Sequence, residues 1–159
     1  MKPNEIIEKL NLERHIEGGC FKRVYESPDK IALPRFKGER ATASSIYFLL
    51  EGQDFSAFHR LKSDEIWCLN YGSALTIYVL DDEGNLKKII LGDQNDLHFQ
   101  VTIKANQWFA AEINDKSAFS LLSCIVTPSF EYQDFELADR KQLTALFPKH
   151  AELIQRLTR

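Results

Sequence analysis

The chain of 159 residues is long enough for one domain with a hydrophobic core, and 44% of its residues are hydrophobic. It carries 20 basic and 23 acidic residues, so the formal net charge is −3, and both signs are interspersed along the chain. This distribution argues against nucleic-acid binding, for which basic residues would cluster on one surface. We therefore expect a single domain over residues 1–159.

The sequence contains no segment that is typical of targeting or of membrane insertion. The N-terminal stretch MKPNEIIEKLNLERH has no apolar core of signal-peptide length, and nowhere do about 18 apolar residues follow one another. The chain has an odd number of cysteines, Cys20, Cys68 and Cys124, and they show no CxxC spacing. This pattern indicates free thiols. We expect a cytoplasmic protein without membrane partners.

The predicted elements begin and end with helices and are otherwise short strands. Asn4 is predicted to cap a helix that ends at Leu10, because Ile6, Ile7 and Leu10 form an apolar stripe. The spacing of apolar residues becomes helical again from Leu137, with a break at Pro148. Between these ends, runs of β-branched and aromatic residues broken by turn residues predict the strands Phe21–Glu26, Ser44–Leu50, Ser56–Leu61, Glu65–Asn70, Ala74–Leu80, Lys87–Leu91, His98–Ile103, Trp108–Ile113 and Phe119–Val126.

About nine short strands in one domain predict a β-sandwich or a barrel, whose interior can hold a small molecule. Side chains alternate between the two faces of a strand, so His59 and Leu61 share one face, as do Glu65 and Trp67. Cys68 then lies on the opposite face from Glu65, which argues against this cysteine as a nucleophile or a ligand.

Gly52, His59, Glu65 and Gly72 have the spacing of the first cupin motif, in which G, H-x-H, E and G follow one another along two strands. With the segments HIEGGCFKRVYES, ATASSIYFLL, HRLKSDEIW, IKANQWFAAE, LLSCIVTPSFEYQDFELADR and LFPKHAELIQRLT, the chain resembles the DUF985 or cupin-5 family of the RmlC-like cupin superfamily. The resemblance implies an all-β fold, a double-stranded β-helix or jelly-roll barrel with short N-terminal and C-terminal helices, and usually a homodimer. It implies no substrate, because the family has none assigned.

The resemblance also implies a set of metal ligands that this chain only partly retains. Cupins that hold a metal use two histidines and a glutamate of the first motif and a histidine of the second. Here His59 and Glu65 are present, but Leu61 and Phe109 stand at the other two histidine positions. Neither side chain offers a lone pair, whereas protein metal sites usually supply three or four donors. We expect no bound metal. An atypical metal site would use His59 and Glu65, and Gln107 is the candidate further ligand because it is predicted on the same strand face as Phe109.

His59 and Glu65 are the candidate catalytic pair. An ionised Glu65 beside the imidazole would raise its proton affinity and orient one ring nitrogen, leaving the other free for a substrate proton. The alternative is a buried hydrogen-bonded pair with a structural role. His15 is predicted at the surface, and the EGG of residues 17–19 is predicted to be a turn. The further residues predicted to bind a ligand are Arg23, which could clamp a carboxylate or phosphate, Tyr47, Leu61, Trp67, Gln107 and Phe109.

Three functional classes stay open at this point, each with a small molecule as partner. The first is a metal-free isomerase, epimerase or lyase that acts on a sugar-like or carboxylated metabolite through His59 and Glu65. The second is a non-catalytic ligand-binding or sensor domain that uses the same interior. The third is a metal-dependent cupin enzyme with an atypical ligand set.

Overall fold

The secondary structure consists of short strands with helices at both ends of the chain. The computed structural model describes residues 2–92, 95 and 98–159. The helices are α1 (Pro3–Leu10), α2 (Arg140–Leu146) and α3 (Ala151–Arg156), and short 3-10 turns cover Tyr132–Asp134 and Pro148–His150. The strands are β1 (Glu13–Arg14), β2 (Cys20–Glu26), β3 (Lys30–Ala32), β4 (Glu39–Ala41), β5 (Ser44–Glu51), β6 (Phe55–Leu61), β7 (Asp64–Gly72), β8 (Leu75–Leu80), β9 (Leu86–Leu91), β10 (Gln100–Ile103), β11 (Trp108–Ile113), β12 (Phe119–Thr127) and β13 (Phe135–Leu137).

Two large antiparallel sheets enclose the main core between them. The six-stranded sheet has the order β1-β2-β5-β12-β7-β10, and the five-stranded sheet has the order β13-β6-β11-β8-β9. Phe48 and Trp67 of the first sheet share a buried cluster with Ile77 and Phe109 of the second. Strands β3 and β4 form a separate two-stranded ribbon. This β-rich jelly-roll arrangement agrees with the fold class predicted from the sequence.

Helices cover the outer faces of the two sheets. The C-terminal helices contribute Leu143 and Ile154 to a second buried cluster, where they pack with Phe58 and Trp108 of the five-stranded sheet. On the six-stranded sheet, Ile6 of α1 packs with Leu49 and Cys20. Strand β6 is therefore buried on both faces, since Ala57 and Phe58 are both inaccessible to solvent. No helix of the described residues is long and apolar enough to cross a membrane.

All nine predicted strands are present, with ends that differ by two residues or fewer. The part of the chain that the structure describes also contains the strands β1, β3, β4 and β13, which are only two or three residues long and thus too short for an alternating pattern to be recognised. The predicted cap of the first helix is wrong. Pro3 is the first helical residue, which suits its fixed φ and missing N–H, and Asn4 lies inside the helix.

Residues 128–137 lead from β12 back to the five-stranded sheet and lie against one end of the space between the sheets. A buried ion pair fixes this segment: Arg40 Nε lies 2.6 Å from Asp134 Oδ2, and Arg40 Nη2 lies 3.1 Å from Oδ1. The Arg40 and Asp134 side chains are only 2% and 5% exposed. The backbone of Phe130 is also held, since its N–H donates to Ser44 Oγ and its carbonyl accepts from Arg23. The segment is thus tied to β2, β4 and β5.

We predict that Asp134→Ala lowers the free energy of unfolding by about 3–5 kcal/mol, because it removes the carboxylate that accepts two hydrogen bonds from the buried Arg40 guanidinium and leaves Glu131 Oε2 at 3.6 Å as the remaining counter-ion. Urea denaturation followed by tryptophan fluorescence measures the loss. The matched control is Glu136→Ala, which removes the partner of the solvent-exposed Arg60 and is expected to cost less than about 1 kcal/mol. Equal losses in the two variants would contradict the anchoring role of Asp134.

Candidate functional site

A narrow cavity lies between the sheets, beneath the segment that Asp134 anchors. Its volume of about 40 Å³ leaves room for only a few water molecules. The Arg23 side chain, 40% exposed, marks the end that meets solvent, whereas His59 and Glu65 are buried. The lining residues are His15, Glu17, Phe21, Arg23, Ser44, Ile46, Phe48, His59, Leu61, Glu65, Trp67, Cys124, Val126, Phe130 and Phe135.

The structure brings most of the predicted site residues together. His59, Leu61, Glu65, Trp67 and Arg23 all line the cavity. The ring of Phe109 lies behind His59, with 4.1 Å between the ring centroids, and the two residues are paired across β6 and β11. Cys68 does not line the cavity, in line with its predicted opposite face.

Tyr47 and Gln107 lie outside the cavity, which corrects the predicted ligand-binding set. Tyr47 faces the outer side of the six-stranded sheet, near Ile6 and Leu10 of α1, because its neighbours Ile46 and Phe48 take the inward positions. Gln107 belongs to the turn before β11, where its Oε1 accepts a hydrogen bond from the Lys104 N–H. Side chains alternate between two faces only within a strand, and Gln107 lies in a turn. Its spacing of two residues from Phe109 therefore does not direct its side chain into the cavity.

Both ring nitrogens of His59 have partners within the chain. Nδ1 lies 2.7 Å from the carbonyl oxygen of Ala57, and Nε2 lies 3.3 Å from Glu17 Oε2. Burial lowers the pKa of His59 to about 4, although the Ala57 carbonyl opposes this shift. The imidazole is consequently neutral at pH 7.

Glu17 and His15 are site residues that the sequence analysis missed. Glu17 Oε2 lies 3.4 Å from His15 Nδ1 and also faces His59, and its Oε1 accepts from Ser56 Oγ at 2.8 Å. Burial raises the pKa of Glu17, opposed by His15, Ser56 and Arg159. Strand alternation gave no signal here, because Ile16 and Glu17 lie in a turn, where the Glu17 N–H donates to His15 Nδ1.

The prediction that His15 lies at the surface is wrong. Its side chain is 7% exposed and sits among aromatic rings, 4.7 Å from the centroid of Phe21 and 6.1 Å from that of Tyr132. Burial lowers the pKa of His15, with Glu17 acting in the opposite direction. The predicted turn at residues 17–19 is present, and Gly18 and Gly19 both have positive φ.

Glu65 is buried without the predicted histidine contact. Among the described residues the carboxyl beside His59 belongs to Glu17, while Glu65 Oε2 and Trp67 Nε1 have no hydrogen-bond partner. Burial, followed by repulsion from Glu17, raises the pKa of Glu65 to about 8. The neighbouring Trp67 indole opposes this shift, although it lies outside hydrogen-bonding geometry. Glu65 therefore carries a proton at neutral pH.

The cavity is poorly suited to a metal ion. In the described part of the chain, no group of three or more histidine, cysteine, aspartate or glutamate side chains is arranged to hold one. Leu61 lines the wall where the cupin motif has its second histidine. The Phe109 ring occupies the space beside His59 where the histidine of the second motif would stand.

We predict that Glu65→Gln makes the protein more stable at pH 8 than the wild type, by several kcal/mol at most. The unfolded chain releases the Glu65 proton above the ordinary pKa of 4.5, whereas the folded protein holds it to about 8. Unfolding thus releases a proton in this window, and the wild-type free energy of unfolding falls as pH rises from 4.5 to 8. Glutamine removes this contribution while nearly preserving volume.

Urea denaturation of both proteins at pH 5 and pH 8 checks this prediction. If the free energy of unfolding falls as steeply between pH 5 and pH 8 in the Glu65→Gln variant as in the wild type, Glu65 does not hold a proton in the folded protein in this range.

The family and the fold are both shown by comparison with known proteins. Residues 4–138 match the family described as the Cupin superfamily (DUF985). The crystal structure of a Shewanella oneidensis protein is 37% identical, with a TM-score of 0.90, and the match covers 100% of this chain and 98% of that one. A hypothetical protein from Leishmania major is 30% identical over 99% of both chains, with a TM-score of 0.89.

More distant structures share the fold alone. Oxalate decarboxylase from Bacillus subtilis is 12% identical with a TM-score of 0.57, and the match covers 91% of this chain but 36% of that one. No curated protein matches this chain. The family match, together with the jelly-roll fold and its close likeness to the Shewanella and Leishmania structures, shows that this chain belongs to the DUF985 family of the cupin superfamily.

Proposed function

We propose that this protein is a metal-free acid–base enzyme, an isomerase, epimerase or lyase, that acts on a small metabolite with a carbonyl or hydroxyl group. One observation carries the proposal: Glu65 Oε2 and Trp67 Nε1 are buried in the cavity wall without partners among the described residues. An unpaired buried polar group costs about 1–3 kcal/mol. A ligand oxygen placed between these two atoms would recover that free energy.

Glu65 and Trp67 suit the role of a donor pair. With a pKa of about 8, Glu65 has an O–H to donate at neutral pH, and the indole of Trp67 can only donate. A carboxylic acid kept neutral by an apolar site can stabilise negative charge that develops on a substrate oxygen. This arrangement supports proton abstraction from the carbon next to a carbonyl group.

His59 supplies the base side of the proposed reaction. Its pKa of about 4 keeps the imidazole unprotonated at neutral pH, so it can take part in accepting a substrate proton. The pKa values of His59 and Glu65 are shifted in opposite directions by burial, and such pairs are typical of acid–base sites.

The cavity limits the substrate to a small molecule whose reacting end is uncharged. A volume of about 40 Å³ is far below the several hundred Å³ of pockets for drug-sized ligands. An anion placed deep in the cavity would lose its hydration without meeting a cation, because Arg23 at the mouth is the one basic side chain among the described lining residues apart from the neutral histidines. Arg23 at the mouth can bind a carboxylate or phosphate group of the substrate, in exchange for its present contact with Glu26. Leu61 and Phe109 in place of histidines support chemistry without a metal.

We also propose that the chain forms a homodimer through the six-stranded sheet. Val24, Tyr25 and Tyr71 of this sheet are each more than half exposed, and its edge strands leave backbone groups unpaired. Light scattering at micromolar concentration is expected to give twice the chain mass of 18.4 kDa. A mass of 18.4 kDa would contradict the dimer.

The enzymatic proposal predicts exchange of substrate hydrogen with solvent. Chelator-treated protein, shown by elemental analysis to be free of metal, is incubated in D₂O with a panel of short hydroxyaldehydes, hydroxyketones and 2-oxo acids. NMR is expected to show deuterium incorporation next to the carbonyl group of at least one compound. His59→Leu is expected to slow this exchange by about 10²-fold or more, because it removes the base and keeps the bulk of the side chain.

Cys68→Ser on the outer face is the matched control and should retain the full rate. Binding of a panel compound without exchange would indicate a ligand-binding domain. Exchange that appears only when a transition metal is restored would indicate a metal-dependent enzyme.

A further inference from the structure

We infer that the mouth of the cavity is a phosphate-binding site, formed by the Arg23 guanidinium and the Ser129 hydroxyl, which Glu26 occupies until a ligand displaces it. The ligand class is a small phosphate monoester whose uncharged end enters the cavity. Turnover of such a ligand rests on the proposed function, whereas binding of phosphate at the mouth does not. Glu26 is then a built-in competitor for the anionic group of the ligand.

A β-bulge places Arg23 and Glu26 on the same face of β2. Residues three apart in a regular strand point to opposite faces. Arg23 pairs with Ile46 of β5, and Val24 is the extra residue of the bulge. Glu26 therefore pairs with Ser44, two residues from Ile46 and on the same face, and both of these β5 residues line the cavity. The bulge thus directs a guanidinium and a carboxylate together toward the mouth.

The Glu26 carboxylate shows which donors the mouth offers to an anion. Its Oε1 accepts from Arg23 Nη1 at 2.9 Å and from Ser129 Oγ at 3.1 Å. Ser129 is 2% exposed, and its backbone N–H donates to the Ala41 carbonyl, so its position is fixed. A cationic donor and a hydroxyl donor that converge on one oxygen form a site for an oxyanion.

The Phe130 carbonyl holds the guanidinium while the contact with Glu26 can be exchanged. Arg23 Nη2 donates to this carbonyl at 2.8 Å, and the Phe130 N–H donates to Ser44 Oγ. A guanidinium has five N–H donors, of which the contacts with Glu26 and Phe130 use two. Arg23 can therefore bind the oxygens of a ligand anion without losing the bond that positions it.

Glu26 can leave the site without uncovering a buried charge. The Arg23 and Glu26 side chains are 40% and 48% exposed, and ion pairs with such exposure are weak. The Glu26 carboxylate can turn into water and stay ionised there. A ligand anion that takes its place on Arg23 therefore meets only a weak competitor.

This exchange favours a phosphate group over a carboxylate. A ligand carboxylate would replace Glu26 with the same charge and the same number of oxygens. A phosphate monoester carries a charge of about −1.5 to −2 near pH 7 and three acceptor oxygens, so it binds the donors of Arg23 and Ser129 more strongly. Deeper in the cavity the described lining residues include no lysine or further arginine, so the phosphate stays at the mouth.

The test measures binding of inorganic phosphate at mildly alkaline pH, where it is a dianion, and of acetate at equal ionic strength. Two-dimensional ¹H–¹⁵N NMR follows the backbone amides of Ser129 and Phe130. The wild type is expected to show saturable shifts with phosphate and weaker binding of acetate. Arg23→Gln should abolish these shifts. Glu26→Gln should bind phosphate about two- to fivefold more tightly, because it removes the competing carboxylate and its repulsion.

Glu136→Gln is the matched control for Glu26→Gln, since Glu136 pairs with Arg60 at similar exposures of 53% and 39%. It should leave phosphate binding unchanged. An equal gain in this control, no gain in Glu26→Gln, or unchanged binding in Arg23→Gln would overturn the site. Acetate that binds as tightly as phosphate would overturn the assignment of a phosphate ligand.

The D₂O exchange assay separates this site from the proposed function. Dihydroxyacetone phosphate is compared with dihydroxyacetone, each against a protein-free blank. The phosphorylated compound is expected to exchange faster, and Arg23→Gln should remove that advantage. Exchange that is equally fast without the phosphate group and unchanged in Arg23→Gln would keep the enzyme and reject the phosphate ligand. Phosphate binding at the mouth without exchange of any compound would keep the site and reject the enzyme.

Discussion

Desolvation of the carboxyl groups between the two sheets is the constraint on which the cavity depends. Glu17 and Glu65 are both buried, and among the described residues the wall contains neither lysine nor arginine apart from Arg23 at the mouth. A buried carboxylate without a cation is costly, so such a group is held neutral by a proton. Burial also keeps the imidazoles of His15 and His59 neutral. The site therefore combines the protonated carboxyl of Glu65 with the neutral imidazole of His59 within one largely apolar enclosure.

The segment over the cavity mouth maintains that enclosure. Phe130 and Phe135 contribute rings to the wall, and Phe135 stacks on His59 with 5.4 Å between ring centroids. The Arg40–Asp134 pair carries opposite charges that neutralise each other at short range, so it can be buried where single charges cannot. The same segment supplies β13, which pairs with β6 and places Leu137 opposite His59. The ion pair thus supports both the shape of the cavity and the exclusion of water from it.

The sequence predicted those parts of the site that depend on local pattern. Alternation within β6 and β7 placed His59, Leu61, Glu65 and Trp67 on the inner faces, because strand parity is fixed over a few residues. It did not reveal which groups lie beside them. Glu17 reaches His59 from a turn 42 positions earlier in the chain, and only the backbone freedom of Gly18 and Gly19 makes that approach possible.

Contacts of this kind depend on tertiary packing, which a single sequence does not display. Tyr47 was placed on the wrong face of its strand for a different reason. Strand β5 is apolar on both faces, because α1 covers one face and the main core covers the other. The alternation of side chains therefore did not show which face points into the cavity.

In this cavity a proton neutralises the buried Glu65 carboxyl, whereas in a metal site the bound cation compensates the charge of such a carboxylate. A bound cation stabilises buried carboxylates and keeps its histidine ligands unprotonated. Here Leu61 and Phe109 remove two donors and Phe109 fills the space beside His59, yet Glu65 keeps its place in the wall. Its charge must then be removed by protonation, which turns a potential ligand into a hydrogen-bond donor. Glu17 is a second buried carboxyl of the same wall, with Oε2 3.3 Å from His59 Nε2 and Oε1 accepting from Ser56 Oγ. The raised pKa values of Glu17 and Glu65 thus have one main physical cause, the burial of carboxyl groups without a neighbouring counter-ion.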